Sequence, residues 1–411
     1  MIGISKEKLN MRDRNAIDIL NELIHNTLLS PSEIGQSTGL SQATVCRILG
    51  QLQDGNLVKN MGKVATSKGR KPNLFSFNFN YGLLLHYYVT NRKVTGYLLN
   101  LAGDIINHCE ISYEQSVALE DLIKIIDDIR KELYKKRELK FAQILAAGFT
   151  VPGVVDKFTR KVYKIPDVLS LNETNFYDYA EKVLGVPIVV NNASWMAALG
   201  EKNTNYKFVE NLVYLNITNN IGIGVGIIID NKLVKGANDY AGEVGQFYFD
   251  PNCSIDDYLK GKGQLENEAS IKALFARVDR RISMGDAKIL SRMLKQEKTS
   301  HISLEILEEA VQQGDTDVFE ELEPTMKAWA IIIINMNLLL NPDFIILGGA
   351  ISDKNSYVYQ YLNGIFNNLG IVSPKIRLST LGDDAQLIGG TDVLKQYVYD
   401  NIIVPRVKNA D

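Results

Sequence analysis

The sequence has few cysteines, no long apolar run and no apolar segment at its start. Its three cysteines, Cys46, Cys109 and Cys253, are far apart and odd in number, which argues against a disulfide framework or a metal site made of cysteine alone. No apolar run reaches the roughly 18 residues that a membrane-spanning helix needs. The first 15 residues lack the apolar core of a signal peptide. We therefore expect a cytoplasmic protein with no membrane partner.

Positive charge is scarce outside the first 80 residues. Residues 1–80 contain ten Lys and Arg against six Asp and Glu, a net charge of +4, whereas the remaining residues contain 35 against 42, a net charge of −7. A basic segment ahead of an acidic body indicates that only this segment meets a polyanion. The length of 411 residues predicts two or three domains.

Three helical segments and a tight turn open the sequence. Ala16 to His25 has apolar residues at helical spacing, and Ser30 to Glu33 has the form of a capping box that starts a short helix. Gly39 makes the turn, and Ser41 caps a third helix with one apolar stripe. This order is that of a helix-turn-helix, whose outward side chains contact base edges in the major groove. We predict that these side chains are Gln42, Ala43, Thr44 and Arg47.

Two short strand candidates follow, Leu57-Val58 and Leu74 to Phe77, with a polar loop between them. The loop carries five basic residues, and Gly69 to Pro72 is extended and narrow, which suits insertion of an arginine into an A·T-rich minor groove. We predict a winged helix-turn-helix domain at residues 1–80 whose wing contacts DNA through Lys68, Arg70 and Lys71. A helical interaction module and a solvated linker are the alternatives.

Strand and helix patterns alternate over residues 81–411. Buried strands are predicted at Ile144 to Val155, Val186 to Val190 and Phe344 to Ala350, a very apolar helix at Thr325 to Leu340, and a last helix at Gly389 to Asn401. Alternation in two blocks predicts an α/β body of two lobes with a cleft between them.

Two asparagines stand where ligands of such proteins bind. Asn191 and Asn192 follow a predicted buried strand, and ligands of open α/β sheets lie at the carboxyl ends of strands. We predict that both contact a ligand. Capping of the next helix is the alternative role for both.

A glycine-rich hairpin is predicted between Asn216 and Gln246. Its apolar run from Val225 to Ile229 precedes a turn at Asp230-Asn231. Its glycines would let backbone N–H groups approach a ligand closely. A plain tight turn is the alternative explanation for these glycines.

Taken together, these motifs resemble those of the ROK family, which groups bacterial sugar-responsive repressors with sugar kinases. VPGVVD at 151–156, VVNNASWMAALGE at 189–201, the hairpin at 216–246, NPDFIILGGAIS at 341–352 and LGDDAQLIGG at 381–390 stand in the family's order. The winged helix is what the repressor branch carries and the kinases lack. The resemblance implies an actin-like/hexokinase body. We expect its first lobe at 81–192, rejoined by a helix at 389–405, and its second lobe at 193–388.

The sequence departs from the family's kinases at the positions that carry catalysis. The family's Asp-x-Gly-Gly-Thr phosphate turn is replaced near Tyr88 to Arg92 by YVTNR, and the second turn, Thr218 to Gly222, has lost glycines. The family's catalytic Asp corresponds to Asn192, and an amide cannot act as a general base. The comparison therefore implies no catalytic residue, no enzyme activity and no cofactor.

The family's structural zinc site is also incomplete in this sequence. Its His corresponds to Gln246, and Cys253 is the single cysteine in the stretch that follows. Structural zinc takes four ligands. We expect no bound metal, with packing around Phe247, Tyr248 and Phe249 as the substitute.

Residues that contact sugar hydroxyls in the family are partly retained. Glu243 corresponds to the Glu of the Gly-Glu-x-Gly motif, Asp256 falls where the family has a second sugar-binding Glu, and Asp167 falls where a Pro-Asn pair lines the pocket. Gln246 could replace the His as a hydroxyl partner. The predicted sugar-binding set is Asp167, Asn191, Asn192, Glu243, Gln246 and Asp256. A loop-capping carboxylate is the alternative for Glu243, and a helix-terminal role is the alternative for Asp256.

These features predict a cytoplasmic transcriptional regulator, a repressor, that binds operator DNA and a small neutral sugar. A homodimer or tetramer would place two winged helices on two half-sites. Two alternatives stay open: an active ATP-dependent sugar kinase with an accessory DNA-binding head, and a repressor controlled by a protein partner. Activation in place of repression is also compatible with the sequence.

Overall fold

The structure is a computed structural model. It describes residues 10–63, 72–90, 92–114, 116–135, 143–156, 159–163, 165, 168–169, 176–219, 222–299 and 301–408.

In its described residues, the amino-terminal head consists of three helices and a two-stranded antiparallel sheet. They are α1 (Met11–His25), α2 (Pro31–Thr38), α3 (Gln42–Asp54), β1 (Val58–Lys63) and β2 (Asn73–Phe77). The capping box is present, because the Ser30 N–H donates to the Glu33 carboxylate at 2.7 Å and the Glu33 N–H donates to Ser30 Oγ at 3.3 Å. Gly39, with φ 73°, ends α2. The predicted winged helix-turn-helix is confirmed, although Lys59 and Lys63 lie on β1 and not in the loop.

The body contains two blocks of strands and helices. The first comprises β3 (Leu83–Thr90), β4 (Lys93–Leu99), β5 (Ile105–Ser112), β6 (Val117–Ala118), α4 (Leu119–Leu133), β7 (Ile144–Val151), β8 (Val154–Asp156), β9 (Lys161–Tyr163), β10 (Val168–Leu169), α5 (Phe176–Leu184), β11 (Ile188–Asn192) and α6 (Ala193–Thr204). The second comprises β12 (Leu212–Ile217), β13 (Ile223–Ile229), β14 (Lys232–Leu233), α7 (Ile255–Leu259), α8 (Leu265–Ala269), α9 (Ile271–Met284), α10 (Lys288–Gln296), α11 (Leu304–Gln312), α12 (Thr316–Leu340), β15 (Phe344–Gly349), α13 (Tyr357–Asn367), β16 (Ile376–Leu378), α14 (Asp384–Val398) and α15 (Val404–Lys408).

Two five-stranded sheets repeat one pairing pattern. The first has the order β11-β7-β3-β4-β5 and the second has the order β14-β13-β12-β15-β16. In each sheet, two antiparallel pairs adjoin two parallel pairs. Strands made almost wholly of buried residues, such as β7 and β12, lie inside each sheet and not at its edges. The predicted α/β architecture with an actin-like body is therefore confirmed.

Helices α6 and α14 lie against each other with their backbones in contact. A Cβ on Gly200 would collide with the carbonyl oxygen of Ala385, and a Cβ on Gly389 would collide with that of Met196. α6 also packs on β12 and β13 of the second sheet, and α14 packs on β7 and β3 of the first. The two helices therefore join the two sheets, and only glycine permits so close a crossing.

A buried carboxylate holds the chain that leads into α14. Glu201 is fully buried and accepts hydrogen bonds from Ser379 Oγ at 2.7 Å, from the Thr380 N–H at 2.8 Å and from the Leu381 N–H at 3.1 Å. Asn205 donates to the same carboxylate at 3.0 Å. A buried carboxylate is tolerated because donors satisfy both of its oxygens.

Two helix boundaries differ from the sequence expectation. α12 begins at Thr316 and passes through Pro324, whereas the expected helix begins at Thr325. Asp315 caps this earlier start through the Val318 N–H, and burial of Val318 and Leu322 stabilises the first turns despite the proline. The helix expected at Gly389 to Asn401 begins earlier, at Asp384, as α14. A π-helical segment, Tyr399–Ile403, follows α14 and leads into α15. Within the described part of the chain, no helix is both long and apolar enough to cross a membrane.

The head and the first sheet share one hydrophobic core. Leu20, Leu23 and Ile48 of the head belong to the same buried cluster as Leu84 and Leu145 of the sheet. The carboxyl-terminal helices complete the cluster through Leu394, Val398, Ile403 and Val407. The Tyr399 hydroxyl also donates to Asn21 Oδ1 of α1 at 2.7 Å. The head is therefore packed on the body.

A buried histidine links the first sheet to α14. His86 of β3 is 1% exposed, its Nε2 lies 2.9 Å from Thr150 Oγ1 of β7, and its Nδ1 lies 3.0 Å from Thr391 Oγ1 of α14. Burial lowers the pKa of His86 from 6.5 to about 4. The imidazole is therefore neutral at physiological pH, and the two threonine hydroxyls complement its donor and its acceptor nitrogen.

We expect His86 to make the stability of the protein depend on pH. The unfolded chain protonates this residue near pH 6.5 and the folded chain only near pH 4, so stability is complete above pH 6.5 and is lost as the pH falls towards 4. The loss is roughly 3 kcal/mol over this range. Urea unfolding of the wild type and of His86→Gln at several pH values measures it. His301→Gln, at an exposed position, is the control and keeps the wild-type dependence of stability on pH. The same dependence in His86→Gln would contradict its assignment to His86.

Candidate functional site

Asn192 ends β11 and caps α6. Its Oδ1 accepts hydrogen bonds from the Ser194 N–H at 2.8 Å and the Trp195 N–H at 3.2 Å. Its Nδ2 donates to the Gly153 carbonyl at 2.8 Å. The capping alternative therefore holds for this side chain, and the second N–H of the amide is the group that a ligand hydroxyl could use. Sugar binding by Asn192 stays a prediction.

Asn191 stands one residue earlier, beside the end of β7. It pairs with Thr150 in the parallel ladder and is 6% exposed. β7 ends at Val151 next to it, and Gly153 follows with φ 128°. The carboxyl ends of β7 and β11 thus bring Asn191, Asn192 and the Gly153 turn together, as expected for a ligand site of an α/β sheet.

The loop that carries Glu243 is fastened to α6 and to β13. Trp195 Nε1 donates to the Ala241 carbonyl at 3.0 Å, and the Val225 N–H donates to the Gly242 carbonyl at 3.0 Å. Gly242 has φ 92°, and a Cβ there would collide with the Val225 carbonyl. Glu243 is half-buried and does not cap the 3-10 helix Val244–Gln246 that follows it. Trp195 therefore connects the Glu243 loop to the helix that Asn192 caps.

The glycines of the hairpin serve packing. A Cβ on Gly224 would collide with the Ser194 side chain, and a Cβ on Gly226 would collide with Ser194 and Ala198. They let α6 lie directly on β13. The predicted turn at Asp230-Asn231 is present, with φ values of 52° and 62° that suit a two-residue hairpin.

Glu266 is a candidate that the sequence analysis missed. Its carboxylate Oε2 lies 2.9 Å from the position that a Cβ on Gly222 would occupy and 2.7 Å from that on Gly245. Glu266 on α8 therefore adjoins the loop that carries Glu243 and Gln246. Gly222 and Gly245 are far from α8 in the sequence, so no local spacing indicated this proximity.

The three other residues of the predicted sugar-binding set are Gln246, Asp256 and Asp167. Gln246 is exposed, and its backbone carbonyl accepts from the Tyr258 hydroxyl at 2.5 Å, which joins α7 to the Glu243 loop. Asp256 is exposed in the first turn of α7. Asp167 lies outside the described residues. The roles of all three stay predictions.

The side chains around Cys253 do not fit a structural zinc ion. The Cys253 thiol lies 3.3 Å from the Lys262 carbonyl, and the Tyr248 hydroxyl donates to the Cys253 carbonyl. The rings of Tyr248 and Tyr258 lie 5.3 Å apart. Within the described ranges, no three His, Cys, Asp or Glu side chains are grouped as metal ligands. Hydrogen bonds and aromatic packing hold this loop in the described structure.

Two tyrosines, one on β3 and one on β12, lie beside the start of α14. Tyr88, near the end of β3, lies beside Gln386 of α14, and burial raises the pKa of its hydroxyl. The Tyr214 hydroxyl stands where a Cβ on Gly348 would be, and burial raises the pKa of Tyr214 to about 12. Bulky side chains therefore fill space beside the β3–β4 turn and beside the Gly-Gly end of β15.

The recognition helix of the head presents the predicted side chains. Gln42, Ala43 and Arg47 are exposed on α3, and Thr44 is half-buried with its Oγ1 2.9 Å from Ser41 Oγ. The opposite face is buried through Val45, Ile48, Leu49 and Leu52. The wing residues Lys68, Arg70 and Lys71 lie outside the described residues.

Two family models match this chain. The ROK family model matches residues 91–397, and the MarR family model matches residues 12–60. The xylose repressor of Caldicellulosiruptor bescii is 26% identical over 387 residues, which cover 92% of this chain and 94% of that protein. The glucokinase of Halalkalibacterium halodurans is 25% identical and covers 72% of this chain and 90% of its own length.

The solved structures include one that matches nearly the whole fold. A crystal structure described as a ROK family transcriptional regulator, homolog of the E. coli MLC protein, superposes with a TM-score of 0.73 over 97% of this chain and 99% of its own, at 22% identity. This likeness concerns the fold. It extends from the head through the body.

We expect Asn192→Asp to destabilise the protein. A carboxylate keeps the two capping bonds, but it places an acceptor against the Gly153 carbonyl, which costs about 1–3 kcal/mol of the free energy of unfolding. Urea denaturation measures the change. Ser303→Asp is the matched control, since it replaces the N-cap of α11 without opposing a carbonyl and changes stability by less than about 0.5 kcal/mol. If Asn192→Asp were as stable as the wild type, the hydrogen bond to Gly153 would have no stabilising role.

Proposed function

The chain belongs to the ROK family, and we propose that it is a sugar-responsive transcriptional regulator that acts as a repressor. The observation that carries the proposal is the shared hydrophobic core of a winged helix-turn-helix head and a ROK body. A change in the body can move a head that is packed on it. The glucokinase relative spans only 72% of this chain, whereas the xylose repressor spans 92%.

The head would bind operator DNA through α3. Gln42 and Arg47 are exposed and long enough to read adenine and guanine edges in the major groove. Ala43 and Thr44 would contact neighbouring bases or phosphates. Lys68, Arg70 and Lys71 would add salt-dependent contacts from the wing.

The body would bind a small neutral sugar beside Asn191 and Asn192. Glu243, Gln246, Asp167 and Asp256 complete the proposed set, and we add Glu266 because its carboxylate adjoins the Glu243 loop. Carboxylates and amides suit hydroxyl groups, since leaving them unpaired in a closed cleft is costly. The name of the relative in Caldicellulosiruptor bescii makes xylose the first sugar to test.

The body would lack kinase activity. Asn192 replaces the general base and is engaged in capping, and Tyr88 stands where the family's kinases hold phosphate. Tyr214 occupies the space beside Gly348. These side chains remove both the base and the backbone approach that phosphoryl transfer requires.

The proposed units follow the sheets. The head would comprise residues 1–80, the first lobe 81–192 with the helix at 389–405, and the second lobe 193–388. Each lobe would contain one of the two five-stranded sheets. A homodimer would present two heads to two half-sites.

We expect the protein to bind a DNA fragment from upstream of its own gene and to release it with one sugar. Fluorescence anisotropy over a salt series, followed by a panel of xylose, glucose and amino sugars, measures both steps. Arg47→Ala weakens DNA binding by about 10-fold or more. Glu243→Ala binds DNA like the wild type and requires at least about 10-fold more sugar for release.

Three outcomes would contradict this assignment. Absence of sequence-specific DNA binding would refute the role of the head. Sequence-specific DNA binding that no sugar affects would indicate that a protein partner, and not a sugar, controls the regulator. Loss of DNA binding in Glu243→Ala, with the fold intact by circular dichroism, would refute the separation of the two sites.

We expect no sugar-dependent release of ADP. Loss of the general base alone lowers the rate by about 10²–10⁴-fold, and loss of the phosphate turn lowers it further. A coupled ADP assay with xylose and glucose measures the rate, and a ROK glucokinase serves as the positive control. Turnover that Glu243→Ala abolishes would instead identify a kinase.

A further inference from the structure

We propose that a groove between α9 and α10 in the second lobe binds a small phosphorylated metabolite. We call it the basic groove and define it by six of the residues that line it: Asp279, Ile282, Lys288, Arg292, Lys295 and Thr299. The described residues of the predicted sugar-binding set, and those of the recognition helix, lie outside its lining. The inference therefore goes beyond the proposed function and does not depend on it.

Positive charge is concentrated in the segment that forms the basic groove. Residues 271–299 contain eight Lys and Arg against three Asp and Glu, a net charge of +5. The whole body from residue 81 onwards has a net charge of −7, so the body outside this segment carries −12. A local excess of positive charge on an acidic body raises the concentration of anions at that place.

The basic side chains of this segment face two different surroundings. On the inner side, Arg277 Nε lies 3.1 Å from Glu321 Oε2 of α12, and Arg281 Nε lies 2.8 Å from Oε1 of the same carboxylate. On the outer side, three basic side chains of α10 line the groove, are exposed, and form no ion pair with the described residues. They are Lys288, Arg292 and Lys295.

The arrangement of the outer three is unfavourable for the protein without a ligand. They have the i, i+4, i+7 spacing of one helix face, and like charges at this spacing destabilise a helix. Lys288 also lies in the first turn of α10, where the helix dipole disfavours a cation. A bound anion offsets both effects, because its negative charge lies against all three side chains.

The walls of the groove are held in place by α12. Asp315 Oδ2 accepts a hydrogen bond from the Leu290 N–H at 2.9 Å, and Asp317 Oδ2 accepts one from the Ala287 N–H at 3.0 Å. Ala287 stands in the turn between α9 and α10 with φ 49°, in the left-handed region that alanine rarely adopts. These bonds fix the turn without a ligand, and a preformed site binds with less loss of entropy.

The size and the apolar part of the groove fit a small organic molecule. Its volume is about 850 Å³, within the range of sites that take small ligands. Ile282 of α9 and Leu294 of α10 give it an apolar surface against which a carbon skeleton can pack. This surface favours a metabolite over a nucleic acid, whose outside consists of phosphate and sugar.

The polar part of the groove fits a phosphate group. Arg292 can donate two parallel hydrogen bonds to phosphate oxygens, and Ser291 and Thr299 add hydroxyl donors. The lining contains three basic side chains and one carboxylate, Asp279, which leaves an excess of two positive charges. A phosphate monoester carries a charge of roughly −1.5 to −2 at pH 7, so it matches this excess.

Isothermal titration calorimetry of the full-length protein tests the inference. The probes are glucose 6-phosphate, fructose 1,6-bisphosphate, 3-phosphoglycerate and AMP, and sodium sulfate is the anion without a carbon skeleton. We expect at least one probe to bind with a dissociation constant below about 1 mM, and sulfate to bind more weakly. Arg292→Gln raises the dissociation constant of that probe by about 10-fold or more, because charge-assisted hydrogen bonds are lost.

Two controls separate this result from misfolding and from a general effect of charge. Without a ligand, Arg292→Gln unfolds at the same temperature as the wild type or at a higher one, because it relieves the repulsion on α10. Arg280→Gln removes the same charge from an exposed position of α9 outside the lining and keeps the wild-type affinity for the probe.

Four outcomes would overturn the inference. They are failure of every probe to bind, binding of sulfate as tight as that of the best probe, binding that Arg292→Gln leaves unchanged, and an equal loss of affinity in Arg280→Gln. Weaker DNA binding in Arg292→Gln, without any probe bound by the wild type, would identify a nucleic-acid surface instead. None of these titrations contains DNA or a neutral sugar, so their failure leaves the proposed function untouched.

Discussion

Helices α6 and α14 cross with their backbones in contact, and the positions of both sheets and of the head depend on this crossing. Gly200 and Gly389 make it possible, because any side chain there would meet a backbone carbonyl. α6 rests on the second sheet through Gly224 and Gly226, and α14 rests on the first sheet through His86. Protein interiors are close-packed, so two sheets joined in this way move as units and not by gradual deformation.

The same two helices connect the proposed effector site to the head. Asn192 caps the start of α6, and Trp195 holds the Glu243 loop one turn further along. α14 continues through the π-helical segment to α15, which packs on α1. A sugar that binds two arrangements of the lobes with different affinity would shift their populations, and the head would follow because it shares a core with α14. In this proposal the body controls DNA binding through its packing, and no catalytic step is needed.

The proposed loss of catalysis is consistent with positions that have acquired structural roles. Asn192 uses its carbonyl oxygen as a helix cap and its amide as a bond to the Gly153 turn. Tyr88 and Tyr214 fill space beside these strands, where Tyr88 adjoins Gln386 and Tyr214 adjoins Ser379. Side chains that fill the space beside these strands leave less of the open cleft that a nucleotide site needs. Around Cys253, hydrogen bonds and the tilted rings of Tyr248 and Tyr258 hold the loop.

The sequence by itself determined the local features of this protein, because short-range signals specify them. The capping box at Ser30, the αL glycine at Gly39, the apolar stripe of α3 and the Asp230-Asn231 turn depend on residues within a few positions of each other. The resemblance to the ROK family predicted the actin-like fold of the body. Only the tertiary structure decided that the hairpin glycines serve helix packing, that Glu266 adjoins the Glu243 loop, and that the head and the carboxyl-terminal helices share a core. Each of these facts joins residues far apart in the chain, where no periodicity or spacing carries information, and their proximity results from the packing of whole sheets and helices.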